Sequence, residues 1–290
     1  MDTEPLFITE PSFSGRQYTV EKLINSGYYS YVYKAYHLDE HEDIPVALKI
    51  PKLRYSREDQ RGKVAHEVTL LKTAPHPYVI TCLDYSLALS HPYIILEYIS
   101  HTLQDKVERN EITQDTIIHY LSQMPAVLQH FHEQGLAHAD LSSSNIGFAD
   151  NHIKVLDFGL AVPLEHTIIK RVHHVPPYNA PEMRHNNLIT KTTDIYSAGK
   201  TLEYLLTGQY AVTAREAIED IESLYGIRLP HSFRKLLWKM TAFDFQKRPS
   251  LAELHLLVKD TLADLERKVY FSTESFASYS TVNFFGEPSA

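Results

Sequence analysis

The feature that most constrains this chain is a change of hydrophobic period near residue 100. From about 18 to 98, short runs rich in β-branched and aromatic residues alternate with turn residues: YTVEKLI, YVYKAYHL, IPVALKI, YVITCLDYSL and PYIILEYI. Such runs read as strands of a sheet. One helical stretch interrupts them. Ser56, with Asp59 three positions on, forms a capping box at its start, and Val64, Val68 and Leu71 then recur at i, i+4 and i+7. From about 100 to 267 the period becomes helical, in stretches such as ITQDTIIHYLSQMPAVLQHFHEQG and DIYSAGKTLEYLLTG, and strand-like runs shrink to IGF and IKVL. The pattern predicts an α+β fold in two lobes: a small antiparallel β-sheet lobe with one helix, and a larger, mainly helical lobe. Residues 1–17 read as an N-terminal extension, and 268–290, rich in Ser and aromatics without a period, as a flexible tail.

Composition narrows the function classes. The 290 residues are 43% hydrophobic and carry a formal net charge of -8. That charge supplies no basic field for nucleic acid, so no nucleic-acid partner is expected. Cys82 is the single cysteine and cannot form an internal disulfide. The opening MDTEPLFITEP lacks the basic start and apolar stretch of a secretory signal, and no run approaches 18 apolar residues. A cytoplasmic protein with no membrane span is the expectation.

The chemistry lies in an ordered series of landmarks. SGYYSYV at 26–32 is followed by VALKI at 46–50, Glu67 in the helix, HADLSSSN at 138–145, DFG at 157–159, APE at 180–182, DIYSAG at 194–199 and Arg248 in QKRPS. Taken together, these resemble the catalytic domain of eukaryotic-type protein kinases, over roughly residues 18–265. The resemblance implies a two-lobed kinase-like fold, with 18–98 as the nucleotide-binding lobe and 99–267 as the catalytic lobe. It also implies ATP and Mg2+ as cofactors, a protein substrate, and transfer of the γ-phosphate to Ser/Thr hydroxyls. It does not specify an oligomeric state.

Residue chemistry supports several of these roles. Lys49 lies in an apolar strand, where an unpaired ammonium would be costly, so it requires an anion. In the resembled family that lysine binds the ATP phosphates and pairs with a helix glutamate, here Glu67. Asp157, at the end of strand-like IKVL, offers hard oxygen suited to magnesium, and Asn145 offers an amide oxygen as a second ligand. Asp140 takes the place of the residue that accepts or orients the proton of the attacking hydroxyl. The resemblance further puts Ile24, Gly27, Tyr29, Val32 and Ala47 at the nucleotide, Leu96 at the rear of the pocket, and Glu97 to Ile99 on the hinge that bonds adenine. Glu182 and Arg248 correspond to a buried ion pair, Asp194 to the anchor of the catalytic loop, and His138 to a residue packing against Phe158.

The departures are as informative. The pattern G-x-G-x-x-G-x-V falls on Asn25, Gly27 and Ser30, so only its central glycine is present. The catalytic loop has Ala139 for the usual arginine and Ser142 for the usual lysine, and Val175 replaces a threonine that would contact both the base and that lysine. Two groups that normally touch are thus both absent, as in a re-formed site. Arg171, His173 and His174 either supply positive charge nearby or form a solvated basic loop. Gly147 stands where a leucine usually supports adenine, which points to weak nucleotide affinity. Two other readings remain open: a catalytically impaired pseudokinase acting as a binding scaffold, and a small-molecule phosphotransferase sharing the H-x-D-x-x-x-x-N loop. The APE motif and Arg248 speak for a protein acceptor. The missing arginine normally pairs with an activation-segment phosphate, and from Leu160 to Pro177 Thr167 is the single hydroxyl side chain. Thr167→Ala is therefore expected to leave phosphotransfer nearly unchanged; a large loss in a labelled-ATP assay would show gating by that residue.

Overall fold

The computed structural model describes residues 14–38, 43–53, 55–73, 75–88, 90–164, 178–210, 213–268 and 270. They divide into two compact units: the described residues up to Ser100 with Leu156–Gly159, and those of His101–Val155 with Leu160 onward.

The first unit is a five-stranded antiparallel sheet and one helix. The strands are β1 (Tyr18–Ser26), β2 (Ser30–Leu38), β3 (Asp43–Pro51), β4 (Cys82–Ser86) and β5 (Tyr93–Glu97), in spatial order β1-β2-β3-β5-β4. β3 is central and is buried continuously from Val46 to Lys49. Its register sets Val32 against Lys49, Lys34 against Ala47, Lys49 against Ile94 and Ala47 against Leu96. Directly paired residues share a face, so Val32, Ala47, Lys49 and Leu96 lie on one side of the sheet. The opposite side holds the apolar cluster of Tyr18, Val20, Ala35, Val46, Leu48, Tyr93 and Ile95. Helix α1 (Arg57–Thr73) buries Val64, Glu67, Val68 and Leu71 along one stripe. Ser56 caps it by accepting from the Asp59 N–H at 3.1 Å, while its hydroxyl donates to the Asp59 carboxylate at 2.7 Å. YVITCLDYSL is a strand only from Cys82. Ahead of it, Val79 N–H closes a turn onto the His76 carbonyl at 3.0 Å and Tyr78 N–H donates to His76 Nδ1, so local bonds following Pro75 and Pro77 displace the ladder. The start of the described chain is tied to β4. The buried Asp84 carboxylate accepts from Ser14 N–H at 3.2 Å, from the Ser14 hydroxyl, and from Tyr18 Oη at 2.9 Å.

The second unit is mainly helical: α2 (Leu103–Glu108), α3 (Gln114–Glu133), α4 (Pro181–Asn186), α5 (Thr193–Thr207), α6 (Ala214–Tyr225), α7 (His231–Met240) and α8 (Leu251–Arg267). Thr102, Thr113, Thr213 and Ser250 cap α2, α3, α6 and α8 through capping boxes. Its β structure is two small ribbons, β6 (Leu136–Ala137) with β9 (Val162–Pro163), and β7 (Ile146–Ala149) with β8 (His152–Val155). The second turns through Asp150 and Asn151, both left-handed, as a tight hairpin requires. Just past α8, the chain is held to α3: Gln114 Nε2 donates to the Leu265 and Lys268 carbonyls, and Tyr270 N–H donates to Gln114 Oε1.

α5 is buried along almost its whole length, from Thr193 to Leu206. A helix covered on all sides cannot be amphipathic in the usual sense, so its polar groups need internal partners. Lys200 pairs with Glu203, Tyr120 Oη donates to the Ala198 carbonyl at 2.8 Å, and Gly208 ends the helix in the left-handed region at φ 65°. Burial still pushes the Glu203 carboxyl up to about 7, against the pull of Lys200. Beside α5, Arg248 donates two bonds of 2.7 Å to Glu182 and one to the Ala242 carbonyl, and its guanidinium lies 4.7 Å from the Tyr196 ring centre. The ion pair is thus fully desolvated yet fully bonded, the condition in which removing one partner is most damaging.

Gly199 shows how closely α5 is packed. A methyl group there would lie 2.7 Å from Thr241 Cγ2 and 2.9 Å from Met240 Cβ. Alanine is favoured over glycine in a helix by up to about 1 kcal/mol, but overpacking costs about 1–3 kcal/mol. Gly199→Ala is expected to lower the unfolding free energy in urea titration, against the propensity trend; a stabilised variant would show that the α5 to α7 contact yields freely.

Candidate active site

The candidate residues fall into two groups, one in each unit. In the first unit, the alternation of β3 turns Lys49 away from the apolar cluster and onto the face it shares with Val32 and Ala47. It is only 7% exposed. Its ammonium donates to both oxygens of Glu67, at 2.7 and 2.8 Å, and to Asp157 Oδ1 at 2.8 Å. Glu67 reaches it because the buried stripe of α1 places that position among Val64, Val68 and Leu71. Burial alone would lower the Lys49 pKa, but the Asp157 and Glu67 carboxylates overturn this and hold it above the ordinary lysine range. Glu67 is pushed up by burial, with Lys49 opposing.

Asp157 is held in turn by its own turn. Gly159 N–H donates to Asp157 Oδ1 at 2.8 Å, and Phe158 N–H donates to Glu67 Oε1 at 3.3 Å. A Cβ on Gly159 would stand 3.1 Å from that Asp157 oxygen, which explains why the turn ends in glycine. The Asp157 side chain is 40% exposed, whereas Lys49 and Glu67 are below 10%. Asp157 is thus the most exposed of the three.

The other nucleotide candidates of this unit surround the trio or follow the same strands. Ile24 is 41% exposed on β1. At Gly27 an added Cβ would meet the Ser30 carbonyl oxygen at 3.6 Å, an ordinary contact. Tyr29 turns toward the start of α1. Its ring stacks on Tyr55 at 5.9 Å, the Lys63 ammonium lies 4.1 Å from its centre, and its carbonyl accepts from Lys52 N–H. Glu97 is already engaged: its carboxylate accepts from Thr81 N–H and Oγ1, and its own N–H donates to the Thr81 carbonyl at 3.0 Å. Ile99 lies half-buried two residues past the end of β5.

In the second unit, the loop HADLSSSN is hung from α5. The buried Asp194 carboxylate accepts from His138 N–H at 2.7 Å and Ala139 N–H at 2.9 Å. Burial pushes the Asp194 carboxyl up to about 6, and those two donors pull it back. Ala139 adopts φ 62°, a left-handed conformation that a residue with a Cβ holds only where its surroundings enforce it; the bonds to Asp194 do so. Asp140 and Asn145 meet across the loop, with Asn145 Nδ2 donating to the Asp140 carbonyl at 2.8 Å and to Oδ2 at 2.9 Å. That pairing turns Asn145 Oδ1 away from Asp140. His138 packs within its own unit on Phe131, with ring centres 5.8 Å apart. Gly147 pairs with Lys154 in β7–β8 and bridges to Thr102.

Three side chains that the sequence reading did not single out join this loop. Ser143 Oγ lies 2.6 Å from Tyr178 Oη, which lies 2.9 Å from Tyr210 Oη. Nothing in local pattern connects positions 35 and 32 residues apart. Ser142 itself is buried with Oγ 2.9 Å from Ser144 Oγ. Thr167, Arg171, His173, His174 and Val175 lie outside the described residues, as do Phe284 and Phe285 of the tail. No helix among the described residues is long and apolar enough to cross a membrane.

Comparison with known proteins agrees with this geometry. The protein kinase domain model matches residues 18–257. The inactive serine/threonine-protein kinase PLK5 of Mus musculus is 32% identical over 271 residues, covering 88% of this chain and 44% of that protein. Serine/threonine-protein kinase PLK2 of the same organism is 27% identical over 259 residues, 85% of this chain and 38% of the relative. CBL-interacting serine/threonine-protein kinase 13 of Arabidopsis thaliana is 28% identical over 199 residues, 66% of this chain and 39% of the relative. The chain thus spans less than half the length of each of these relatives, at the part that matches the domain. With an antiparallel sheet unit, a helical unit and a family match over most of its length, the chain belongs to the protein kinase domain family.

Proposed function

We propose that this chain is an ATP- and Mg2+-dependent protein kinase that transfers the γ-phosphate to Ser/Thr hydroxyls of a protein substrate. The observation that carries the reading is Lys49, buried in a central strand and held charged between Glu67 and Asp157. Such a trio suits an anion: the ammonium is fixed by Glu67, and its third N–H, now on Asp157, can be exchanged for phosphate oxygens. The donor sets suit the cofactors. Asp157 and Asn145 supply hard oxygen for Mg2+, and Val32, Ala47 and Leu96 supply an apolar face for a base. With the Glu97 N–H engaged by Thr81, the hinge would bond adenine through other backbone groups of Glu97 to Ile99.

The remaining roles follow from chemistry. When bound, Mg2+ would neutralise charge developing on the phosphates. Asp140 accepts the proton of the attacking hydroxyl, oriented by the Asn145 amide that bonds it. Gly27 allows backbone N–H groups to approach the phosphates, where the protein's own packing leaves room. Between His138 and Asn145 no lysine or arginine remains, so the loop contributes position rather than positive charge. Ser142 lacks the ammonium that would stabilise the transferring group, an interaction whose loss typically costs about 3–4 kcal/mol. A slow enzyme is the consequence.

A second reading, a scaffold that binds partners without transferring phosphate, draws on that same serine and on a relative named as an inactive kinase. Transfer of labelled γ-phosphate to the chain and to generic protein acceptors separates the two. Transfer by the wild type that is lost in Asp140→Asn, with labelled Ser or Thr recovered on hydrolysis, is the expected outcome. Nucleotide binding without transfer in either protein would favour the scaffold. Glu67→Gln keeps an acceptor for Lys49 while removing its charge, and should lower kcat/KM for ATP by about 10- to 100-fold through misplacement of the ammonium; an unchanged value would free Lys49 of that role.

A further inference from the structure

We propose that the hydroxyl chain Ser143–Tyr178–Tyr210 is a brace that positions the catalytic loop, doing by neutral hydrogen bonds what the loop's missing lysine and its threonine partner would otherwise do. Two attachments of the loop bear on its geometry. Its first half, His138 and Ala139, hangs from Asp194. Its second half is the one-turn helix Ser143–Asn145, and there Ser143 Oγ meets Tyr178 Oη at 2.6 Å, with Ser143 fully buried and Tyr178 3% exposed. Buried hydroxyls require partners, and a short bond between two of them fixes both. Tyr178 is itself fixed at both ends. Its carbonyl accepts from Ser197 Oγ on α5 at 2.9 Å, and its hydroxyl meets Tyr210 Oη at 2.9 Å.

The outer end of the chain is an aromatic platform. The Tyr210 ring stacks on Tyr204 with centres 4.6 Å apart and planes 11° apart, and Tyr178 packs edge-on to both, at 5.2 and 6.3 Å. Tyr204 is buried on α5 while Tyr210 is 41% exposed. Burial raises the Tyr178 hydroxyl pKa well above the tyrosine range, so it remains a proton-bearing donor under all working conditions. The bonds therefore run from α5 and the surface, through Tyr178, to the turn that immediately precedes Asn145. Displacing Ser143 would displace Asn145 and, through its two bonds, Asp140. Ser143, Tyr178 and Tyr210 touch no reacting group; they are positioning residues, and the rate effect proposed for them rests on the kinase reading above.

The test compares wild type with Tyr178→Phe, Ser143→Ala, their double variant and Tyr210→Phe, which all keep the rings and backbone. Two quantities are read: kcat and KM for ATP in phosphotransfer, and amide hydrogen exchange in 140–145. The brace predicts about a tenfold fall in kcat for either inner variant with KM for ATP unchanged, faster exchange confined to 140–145, and a double variant no slower than the worse single one. Tyr210→Phe should have a smaller effect, because water can replace its exposed hydroxyl. Unchanged exchange in the loop overturns the brace, as does faster exchange with unaltered kcat in an active wild type. Should the wild type transfer no phosphate, exchange decides by itself: loop-confined acceleration supports the brace while the kinase reading falls. If Tyr178→Phe fails to fold, Ser143→Ala and Tyr210→Phe carry the same comparison.

Discussion

A lysine ammonium in the middle of a central strand can exist only beside carboxylates, and the first unit is arranged around that requirement. Lys49 sits between Val32 and Ile94 in the ladder, where an isolated charge would cost several kcal/mol. One carboxylate comes from α1, 18 residues on, and another from a turn 108 residues on. Helix α1 must therefore keep its buried stripe in register with β3, and Leu156–Gly159 must join the sheet unit although the chain on both sides of it belongs to the other. The Asp-Phe-Gly turn satisfies this with its backbone as well, through the N–H groups of Phe158 and Gly159. Few other features of the unit are as tightly determined.

In the second unit the corresponding constraint is α5, a helix without a solvent face. Each polar group on it must be answered from within, and the answers are attachments: Asp194 to the catalytic loop, Ser197 to the Tyr178 carbonyl, Thr193 to Glu182, which in turn binds Arg248. Satisfying the buried helix and holding the loop in place are one and the same set of bonds. The strained backbone at Ala139 is sustained in this way, since its N–H and that of His138 both end on one carboxylate. The loop is thus fixed by a carboxylate buried on a helix 56 residues further along the chain.

How much of this was readable from the sequence depends on the range of the signal. Period and caps gave β1 to β3, β5, α1, α3 and α5 closely, because alternation, i to i+4 spacing and Ser or Thr caps are local physics. YVITCLDYSL misled at its start, where two prolines and a histidine ring replaced the ladder with a turn. The Glu182–Arg248 pair and the Asp194 anchor followed from ordered landmarks. The Lys49–Asp157 bond has no local signal, since it joins a strand to a turn 108 residues on. The Ser143–Tyr178 bond is hidden in the same way. It joins two positions of ordinary type across 35 residues, and no periodicity reports such a meeting.

The loop HADLSSSN, which holds no lysine or arginine, contrasts with the charged trio of the sheet unit. Replacing a buried ion pair by apolar residues of similar volume is often neutral or stabilising by about 1–4 kcal/mol, so folding alone gives little reason to bury Lys49 and Glu67 together. A desolvated ammonium held among carboxylates is the kind of perturbed ionisable group that concentrates at functional sites. The loop shows the opposite choice. Ser142 and Ser143 are buried at 3% and 0% exposure, and an ammonium at the first of these would demand an anion, whereas a hydroxyl finds a partner in Ser144 or Tyr178. The chain thus concentrates buried charge around Lys49 and uses hydroxyls at the packed positions of the loop. For a phosphotransferase, such a division preserves binding and geometry and sacrifices part of the electrostatic stabilisation of the transferring group.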